Sequence, residues 1–273
     1  MDHAQSVTII VPAFNAGRWI GQTLKSIQAQ THRHWQVLVA DDASTDDTPR
    51  IVSELAKEDD RIRLLRMPAN TGGPAGPRNF ALKQATSEWV AFCDADDIWH
   101  AQKLEVQLRI AARKKADLVC TSIRDFTSSR FLSDDAPVAE ADAMPTEEIA
   151  LWRLLSKNVI PNSSVMCRRR LIAEEGGFDT SRTLVAVEDY DLWLRLVESG
   201  AKVTKVQMPL VNYRRLPDSL SARKLRLAKR VLLVLARHFA RRQRQWLFPL
   251  AAPCLMASYV VQAVYLRMWA GRL

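Results

Sequence analysis

The chain has 273 residues, of which 48% are hydrophobic and 25% are charged. This composition is typical of one large globular domain with an appendage, and it excludes a disordered or fibrous chain. Four widely spaced cysteines without a Cys-x-x-Cys pair argue against a disulfide scaffold and against a zinc finger. Eleven of the 39 Lys and Arg residues follow Leu220, where no Asp or Glu occurs, so the net charge of +9 resides in the C-terminal segment.

The first hundred residues alternate between short apolar stretches and segments with helical spacing. Strands are predicted at residues 7–11, 35–40, 62–66 and 89–93, and the first of them is mostly β-branched. Helices are predicted at residues 19–30, from 45 to 57, and at 78–85. Such alternation favours parallel strands joined by helical crossovers. The sequence therefore predicts an α/β fold with a doubly wound, mostly parallel sheet.

Polar or turn-forming clusters follow three of these strands. They are residues 12–15, Asp41-Asp42 and residues 94–97. Ligands of open α/β sheets bind beyond the carboxyl ends of the strands, so these clusters are candidates for a binding site. Two simpler interpretations stay open, because Asp41 and Asp42 with Ser44 could cap the next helix, and the Gly- and Pro-rich loop at 70–77 could be an ordinary connection.

The sharpest of these clusters is Asp94-Ala95-Asp96. Two carboxylates one residue apart, just past a buried strand, can reach one divalent ion together if the backbone turns there. Hard oxygen ligands suit Mg²⁺ or Mn²⁺, which commonly bridge to substrate phosphates. The alternative is a solvated acidic turn that caps a helix starting near His100.

A second acidic cluster, Glu188-Asp189-Tyr190-Asp191, opens a predicted apolar helix at residues 187–197. The helix dipole favours acidic side chains in a first turn without any catalysis. A carboxylate in so apolar a setting also suits a general base, because burial moves its pKa toward neutrality. Both interpretations are open from the residues alone.

The basic C-terminal segment begins with an amphipathic pattern at residues 225–239, and residues 245–266 then carry no charge. Prolines, Trp and Tyr within this stretch favour a helix lying in the cytoplasmic leaflet over a spanning or re-entrant hairpin. Packing on the protein's own core or on a second subunit is the alternative. Positive charge confined to this segment argues against a nucleic-acid partner. The polar residues 1–6 lack a signal sequence, so a cytoplasmic location is expected.

Seven motifs in order resemble those of the family 2 glycosyltransferases, which are inverting nucleotide-sugar transferases with the GT-A fold. The motifs lie at residues 11–15, 39–46, 72–79, 94–99, 176–179, 188–195 and 213–221. They are most similar to members that build bacterial exopolysaccharide, capsule or lipopolysaccharide units. The resemblance implies a GT-A domain at 1–220, with a nucleotide-binding half at 1–100 and an acceptor half at 101–220. A membrane-associating segment at 221–273 follows.

The resemblance also implies roles for the donor-binding residues. Pro12 and its neighbours would line the pocket of the donor nucleobase. Asp42 would accept hydrogen bonds from the nucleoside, and Arg78 would face the nucleotide. Asp94 and Asp96 would form the D-x-D element, in which both carboxylates hold Mn²⁺ or Mg²⁺ on the donor diphosphate.

On the acceptor side, the resemblance makes Asp189 the general base and gives Glu188 an orienting role. Family members often carry a histidine metal ligand where this chain has Leu216. Water could fill that coordination position, Arg214 and Arg215 could share the diphosphate charge, or metal binding could be weak.

The implied function is transfer of a sugar, from a UDP donor, to a lipid-linked saccharide at the cytoplasmic face of the cell membrane, by a peripheral or monotopic enzyme. Three alternatives stay open: transfer to a polyprenyl phosphate, a non-catalytic nucleotide-binding scaffold of an assembly complex, and a nucleotidyltransferase. The motifs report neither the sugar nor the oligomeric state.

Overall fold

The computed structural model describes residues 5–127, 144–216 and 224–241. Over these ranges nine strands form one sheet. The strands are β1 Val7–Ala13, β2 Trp35–Asp41, β3 Ile62–Arg66, β4 Trp89–Phe92, β5 Ile98–Trp99, β6 Leu118–Phe126, β7 Thr146–Glu148, β8 Met166–Arg168 and β9 Val203–Arg214. The helices are α1 Ile20–Gln28, α2 Thr48–Glu58, α3 Ala75–Leu82, α4 Lys103–Lys114, α5 Leu151–Ser156, α6 Arg169–Glu174, α7 Glu188–Glu198 and α8 Lys224–Arg241.

The strand order is β3-β2-β1-β4-β8-β6-β9-β5, and β7 pairs with β9 outside this path. Strands β1 to β4 are mutually parallel, as the alternating pattern predicts. Strand β8 joins β4 and β6 in antiparallel pairing, so the second half makes the sheet mixed. The added antiparallel strands β5, β7 and β8 have only two or three residues each, too few for a recognisable strand pattern.

Helices cover both faces of the sheet, because successive side chains of a strand point to opposite sides. Val7, Ile9 and Val11 of β1 pack with α1, α2 and α4. Ile10 packs on the opposite side, in the core that also takes in α3 and α5 to α8. Strand β1 is buried along its whole length, which explains its continuous apolar character.

Helix α3 begins three residues before the predicted start, inside the Gly- and Pro-rich loop. Pro77 therefore lies in the first helical turn rather than in a loop that precedes Arg78. Proline is tolerated there because first-turn N–H groups have no acceptor within the helix. The backbone N–H of Arg78 donates to the carbonyl of Pro74 (3.1 Å), so Arg78 sits on the helix.

The described part of the basic C-terminal segment packs on the core of the domain. Val234 and Leu235 of α8 are buried beside α7. Arg237 pairs with Asp179 (2.6 Å), which attaches the polar side of the helix to the domain. Helix α8 thus packs on the protein's own core, which was the alternative to a helix lying in the membrane leaflet. The uncharged stretch at 245–266 lies outside the described residues, as do residues 128–143. None of the described helices combines the length and apolarity needed to cross a membrane.

Candidate active site

The loops that follow β1 and β2 are joined side by side. Asn15 adopts a positive φ of 50°, and its Oδ1 accepts the backbone N–H of Thr45 (2.9 Å). Asp46 accepts the N–H of Gly17 (2.9 Å) and, through its other oxygen, the N–H of Thr48 (3.0 Å). Asp46 therefore accepts the N–H of the first residue of α2 and ties this helix to the loop after β1.

The carboxylate of Asp42 fastens the loop before α3. It accepts the N–H and the hydroxyl of Thr71 (3.0 and 3.1 Å) and the side-chain amide of Asn70 (3.0 Å). Burial raises the pKa of Asp42, while the hydrogen bonds from Thr71 act in the opposite direction. Asp42 thus positions a loop of the site and does not cap α2, and its contact with a donor nucleoside stays a prediction.

The exposed aromatic ring at this edge belongs to Phe14. Pro12 is buried within β1, opposite Ala40, whereas Phe14 is 51% exposed beyond the end of the strand. A flat exposed ring suits stacking against a nucleobase. Among the neighbours of Pro12, Phe14 is therefore the better candidate for contact with the base. The signal that distinguishes it is the end of the strand at Ala13, one residue after Pro12.

Asp94 and Asp96 follow β4, and a buried polar turn at Asn162–Ser164 holds the first of them. Ser163 Oγ accepts the backbone N–H of Asp94 (3.0 Å), and Asn162 Nδ2 donates to Asp94 Oδ1 (3.2 Å). Asn162 and Ser163 are not among the site residues predicted from the sequence. Their signal is a polar run, Asn-Ser-Ser after Pro161, that the fold buries almost completely.

Negative charge accumulates at this strand end. Burial and the nearby Asp94 raise the pKa of Asp96 to about 6, and burial together with both neighbours raises the pKa of Asp97 well above its ordinary value. A cation would relieve this repulsion. The part of the chain that the structure describes has no group of three or more His, Cys, Asp or Glu side chains arranged for a metal. The carboxylates of Asp94 and Asp96 are oxygen donors that fit Mg²⁺ or Mn²⁺. The other ligands of the ion would be phosphate oxygens and water.

Leu216 has no side-chain oxygen or nitrogen with which to bind a metal ion. Arg214 is 2% exposed, and its guanidinium donates to the carbonyl of Asp96 (2.8 Å) and to Gln22 (2.8 Å). Arg215 is half-exposed and pairs with Asp125 (3.0 Å). Arg214 therefore supports the backbone of the carboxylate pair, and Arg215 is the more accessible of the two cations.

Arg78 joins the carboxylate pair to the first turn of α7. One guanidinium nitrogen donates to Asp94 (2.8 Å) and another to Glu188 (2.6 Å), and the side chain is only 3% exposed. Burial alone would lower the pKa of Arg78, but Asp94, Glu188 and Asp189 raise it above its ordinary value. The two carboxylates lie 16 and 110 residues away in the sequence, so sequence patterns could not identify this bridge. Contact of Arg78 with the nucleotide stays a prediction.

The acidic side chains of the first turn of α7 differ in environment. Asp189 is partly buried, and burial together with Glu188 raises its pKa to about 7. Asp191 is buried and pairs with Arg195 (2.9 Å) and Arg241 (3.1 Å). Asp191 thus attaches α8 to α7, while Asp189 has the pKa of a proton acceptor at neutral pH.

A cleft of about 380 Å³ opens beside this cluster, between residues 71–76 and residues 179–188. Glu188 lies in its wall. The wall is close-packed at Gly73, where a Cβ atom would approach Val185 to 3.0 Å. Glu188 connects this cleft to a cluster that comprises the carboxylates of Asp94 and Asp96, the buried Arg78, and Asp189 with its raised pKa. This set can stabilise a leaving diphosphate and accept a proton.

Replacing Arg78 with Met is expected to lower the free energy of unfolding by about 3–5 kcal/mol, because it leaves Asp94 and Glu188 without their shared cation. The matched control is Arg50→Met. Arg50 also contacts two carboxylates, on Asp47 (3.1 Å) and Glu54 (2.8 Å), but it is 58% exposed. Its replacement should leave the free energy of unfolding nearly unchanged. Urea unfolding measures both values. Equal losses in the two variants would contradict a stabilising role for the buried bridge.

Comparison with protein families matches residues 8–176 to the family described as "Glycosyl transferase family 2". The chain is 30% identical to "Putative teichuronic acid biosynthesis glycosyltransferase TuaG" of Bacillus subtilis (strain 168), over 84% of this chain and 86% of TuaG. It is 29% identical to "UDP-Glc:alpha-D-GlcNAc-diphosphoundecaprenol beta-1,3-glucosyltransferase WfgD" of Escherichia coli, over 82% of this chain and 83% of WfgD.

Two solved structures share the fold. S. aureus TarS 1-349 in complex with UDP superposes with a TM-score of 0.66 at 22% identity, covering 86% of this chain and 65% of that one. The mannosyltransferase PcManGT from Pyrobaculum calidifontis, in complex with GDP-Man and Mn²⁺, superposes with a TM-score of 0.66 at 22% identity, covering 96% and 76%. The predicted fold class is confirmed.

Proposed function

The chain belongs to glycosyl transferase family 2, and from this premise we propose that it is a metal-dependent, inverting transferase. It moves a sugar from a UDP-sugar to a lipid-linked saccharide that is used in cell-surface polysaccharide. The observation that carries this proposal is the bridge from Asp94 through Arg78 to Glu188, beside Asp189. It brings residues suited to the donor and a residue suited to the acceptor into one cluster.

The relatives support the choice of substrates. WfgD is a glucosyltransferase for UDP-Glc and a diphosphoundecaprenol-linked sugar, and TuaG belongs to teichuronic acid biosynthesis. TarS binds UDP and PcManGT binds GDP-Man with Mn²⁺. By analogy, residues 1–100 supply the donor side of this site, and residues 101–220 supply the acceptor side.

The residues of the D-x-D pair have distinct tasks in this proposal. Asp94 and Asp96 would hold Mn²⁺ or Mg²⁺, which when bound offsets the charge that develops on the departing nucleoside diphosphate. Arg78, Asn162 and Ser163 keep Asp94 in place through its carboxylate and its backbone. Pre-positioned charges of this kind need no rearrangement during the reaction.

Asp189 accepts the proton of the acceptor hydroxyl. The hydroxyl oxygen forms a bond to the anomeric carbon while the bond to the diphosphate breaks on the opposite face, so the configuration inverts. A pKa of about 7 suits this task, because a base is most effective when its pKa lies near the working pH. Glu188, held by Arg78, fixes the helical turn that carries the base.

The value of kcat/KM is expected to rise with pH and to level off above about pH 7, because only ionised Asp189 can accept the proton. Below about pH 6 it should fall nearly tenfold per pH unit. Initial rates measured on both sides of neutral pH with saturating metal give this profile. Asp189→Glu should retain some activity with a displaced inflection, and a flat wild-type profile would exclude Asp189 as the base.

Slow hydrolysis of the donor tests the proposal as a whole. The purified protein is offered a panel of UDP- and GDP-sugars, with and without Mn²⁺, and the released nucleotide is measured. Metal-dependent release of UDP from one donor supports the proposal, whereas release of pyrophosphate would indicate a nucleotidyltransferase. If UDP binds but no donor turns over even with lipid-linked acceptors, the scaffold alternative is favoured. Transfer to polyprenyl phosphate itself would favour the other enzymatic alternative.

The membrane location is part of the same proposal. The segment after Leu220 carries eleven Lys and Arg residues and no acidic residue, and basic segments bind anionic lipid surfaces. The enzyme would therefore meet its lipid-linked acceptor at the cytoplasmic surface of the membrane. Flotation with anionic vesicles, but not with neutral ones, is the expected result.

A further inference from the structure

A second pocket, apolar and about 160 Å³ in volume, lies between α5, the start of α7 and α8. Leu155 of α5 forms one wall, and Leu227 and Leu232 of α8 form another. Tyr190, the residue that follows the proposed base, forms part of a third wall. An apolar cavity of this size accommodates a molecule such as benzene, so it has room for about one five-carbon unit of a hydrocarbon chain.

The turn that carries Asp189 separates this pocket from the larger cleft. Val185 and Glu188 line the cleft, whereas Ala186 and Tyr190 line the apolar pocket. Ala186 adopts a positive φ of 72°, which redirects the backbone between the two openings. A molecule in the apolar pocket therefore lies on the other side of the turn that presents the proposed base.

One cation lines the pocket, and two others lie near it. Lys157 lines it, and burial together with the charges of Arg153 and Lys205 lowers the pKa of Lys157. Glu147 pairs with Arg153 (3.4 Å), but no carboxylate within the described ranges pairs with Lys157. Cations gathered in this way repel one another, and an anion placed among them would form charge-assisted hydrogen bonds.

An exposed aromatic side chain stands on the same helix. Trp152 of α5 is 71% exposed and adjoins Arg153. Tryptophan favours the boundary between lipid and water, where its ring meets the headgroups. Helix α5 therefore carries both a residue of the pocket wall, Leu155, and an exposed tryptophan that suits a membrane surface.

We propose that this pocket binds the lipid end of the acceptor: Lys157, Arg153 and Lys205 bind its diphosphate, and the apolar walls take the first isoprene unit. This assignment rests on the proposed function. The apolar cavity matches the hydrocarbon of a polyprenyl diphosphate, and the cations at and near its wall match the diphosphate.

Farnesyl diphosphate is the probe that tests this site, and its binding to the full chain is measured by titration calorimetry. Lys157→Glu should weaken binding by about tenfold or more, because it replaces a cation beside the diphosphate with an anion. Lys114→Glu is the matched control, since Lys114 is exposed on α4, across the sheet. Farnesol and inorganic diphosphate should each bind more weakly than the intact probe. Equal binding of inorganic diphosphate, no binding of the probe, or equal losses in both variants would overturn the assignment.

Leu232→Ser tests the apolar wall independently of charge. It should weaken the binding of farnesyl diphosphate more than the binding of inorganic diphosphate. Thermal unfolding establishes that the variant is folded. The same variants are then assayed for transfer to an octyl-linked saccharide, which lacks the diphosphate. Transfer to that acceptor by the wild type, without binding of farnesyl diphosphate, would overturn only the pocket assignment. Failure of transfer to every acceptor, with intact binding of farnesyl diphosphate, would overturn only the proposed function.

Discussion

Asp189→Asn is expected to lower kcat by about 10²–10⁴-fold, the range that a positioned general base contributes. The amide keeps the size of the side chain but cannot take the proton of the acceptor hydroxyl. The folded-state pKa of about 7 lies above the ordinary value of 3.8, so Asp189 lowers the free energy of unfolding as the pH rises from about 4 to 7, and the full loss is present above about pH 7. The variant should therefore unfold at no lower temperature than the wild type in mildly alkaline buffer, which separates loss of chemistry from loss of structure.

Asp60→Asn is the control for this substitution, because Asp60 lies at the opposite end of β3 from the loop that Asp42 fastens. It should leave kcat unchanged. Donor binding by Asp189→Asn should also persist, as measured by calorimetry with UDP. Full transfer activity in Asp189→Asn would remove Asp189 from the mechanism and would direct attention to Glu188, the other acid of that turn.

Asp96→Asn is expected to lower donor turnover by about 10³-fold, since a bound divalent ion supplies several kcal/mol to a leaving diphosphate. Replacing Asp96 tests metal binding more specifically than replacing Asp94. Asp94 also accepts hydrogen bonds from Arg78 and Asn162, so its replacement would disturb the bridge to α7. The readouts are the Mn²⁺ dependence of donor hydrolysis and the affinity for Mn²⁺ in the presence of UDP.

Asp47→Asn provides the control for metal binding, because Asp47 is an exposed acid at the start of α2. Its Mn²⁺ affinity should match that of the wild type. If Asp96→Asn keeps both its Mn²⁺ dependence and its turnover, the D-x-D pair does not hold the ion. Turnover of the wild type in the presence of a chelator would instead indicate that basic side chains, such as Arg215, offset the diphosphate charge alone.

Arg78 shows why part of the site could not be predicted from sequence. Its motif indicates a basic residue facing a nucleotide, yet the side chain is buried between two carboxylates from distant parts of the chain. Asn162 and Ser163 were not predicted for the same reason, because their task is to hold Asp94 across the sheet. Ion pairs and hydrogen bonds between remote segments leave no periodic signal in the sequence.

The sequence by itself determined the parallel half of the sheet, the acidic pair after β4 and the acidic first turn of α7. These features follow from local patterns: apolar runs, turn residues and charges at strand and helix ends. Only the tertiary structure decided that Asp42 fastens a loop, that Arg78 unites the two acidic clusters, and that α8 packs beside α7. Burial and long-range contact set those roles, because the charge and pKa of a side chain depend on neighbours that the fold brings together.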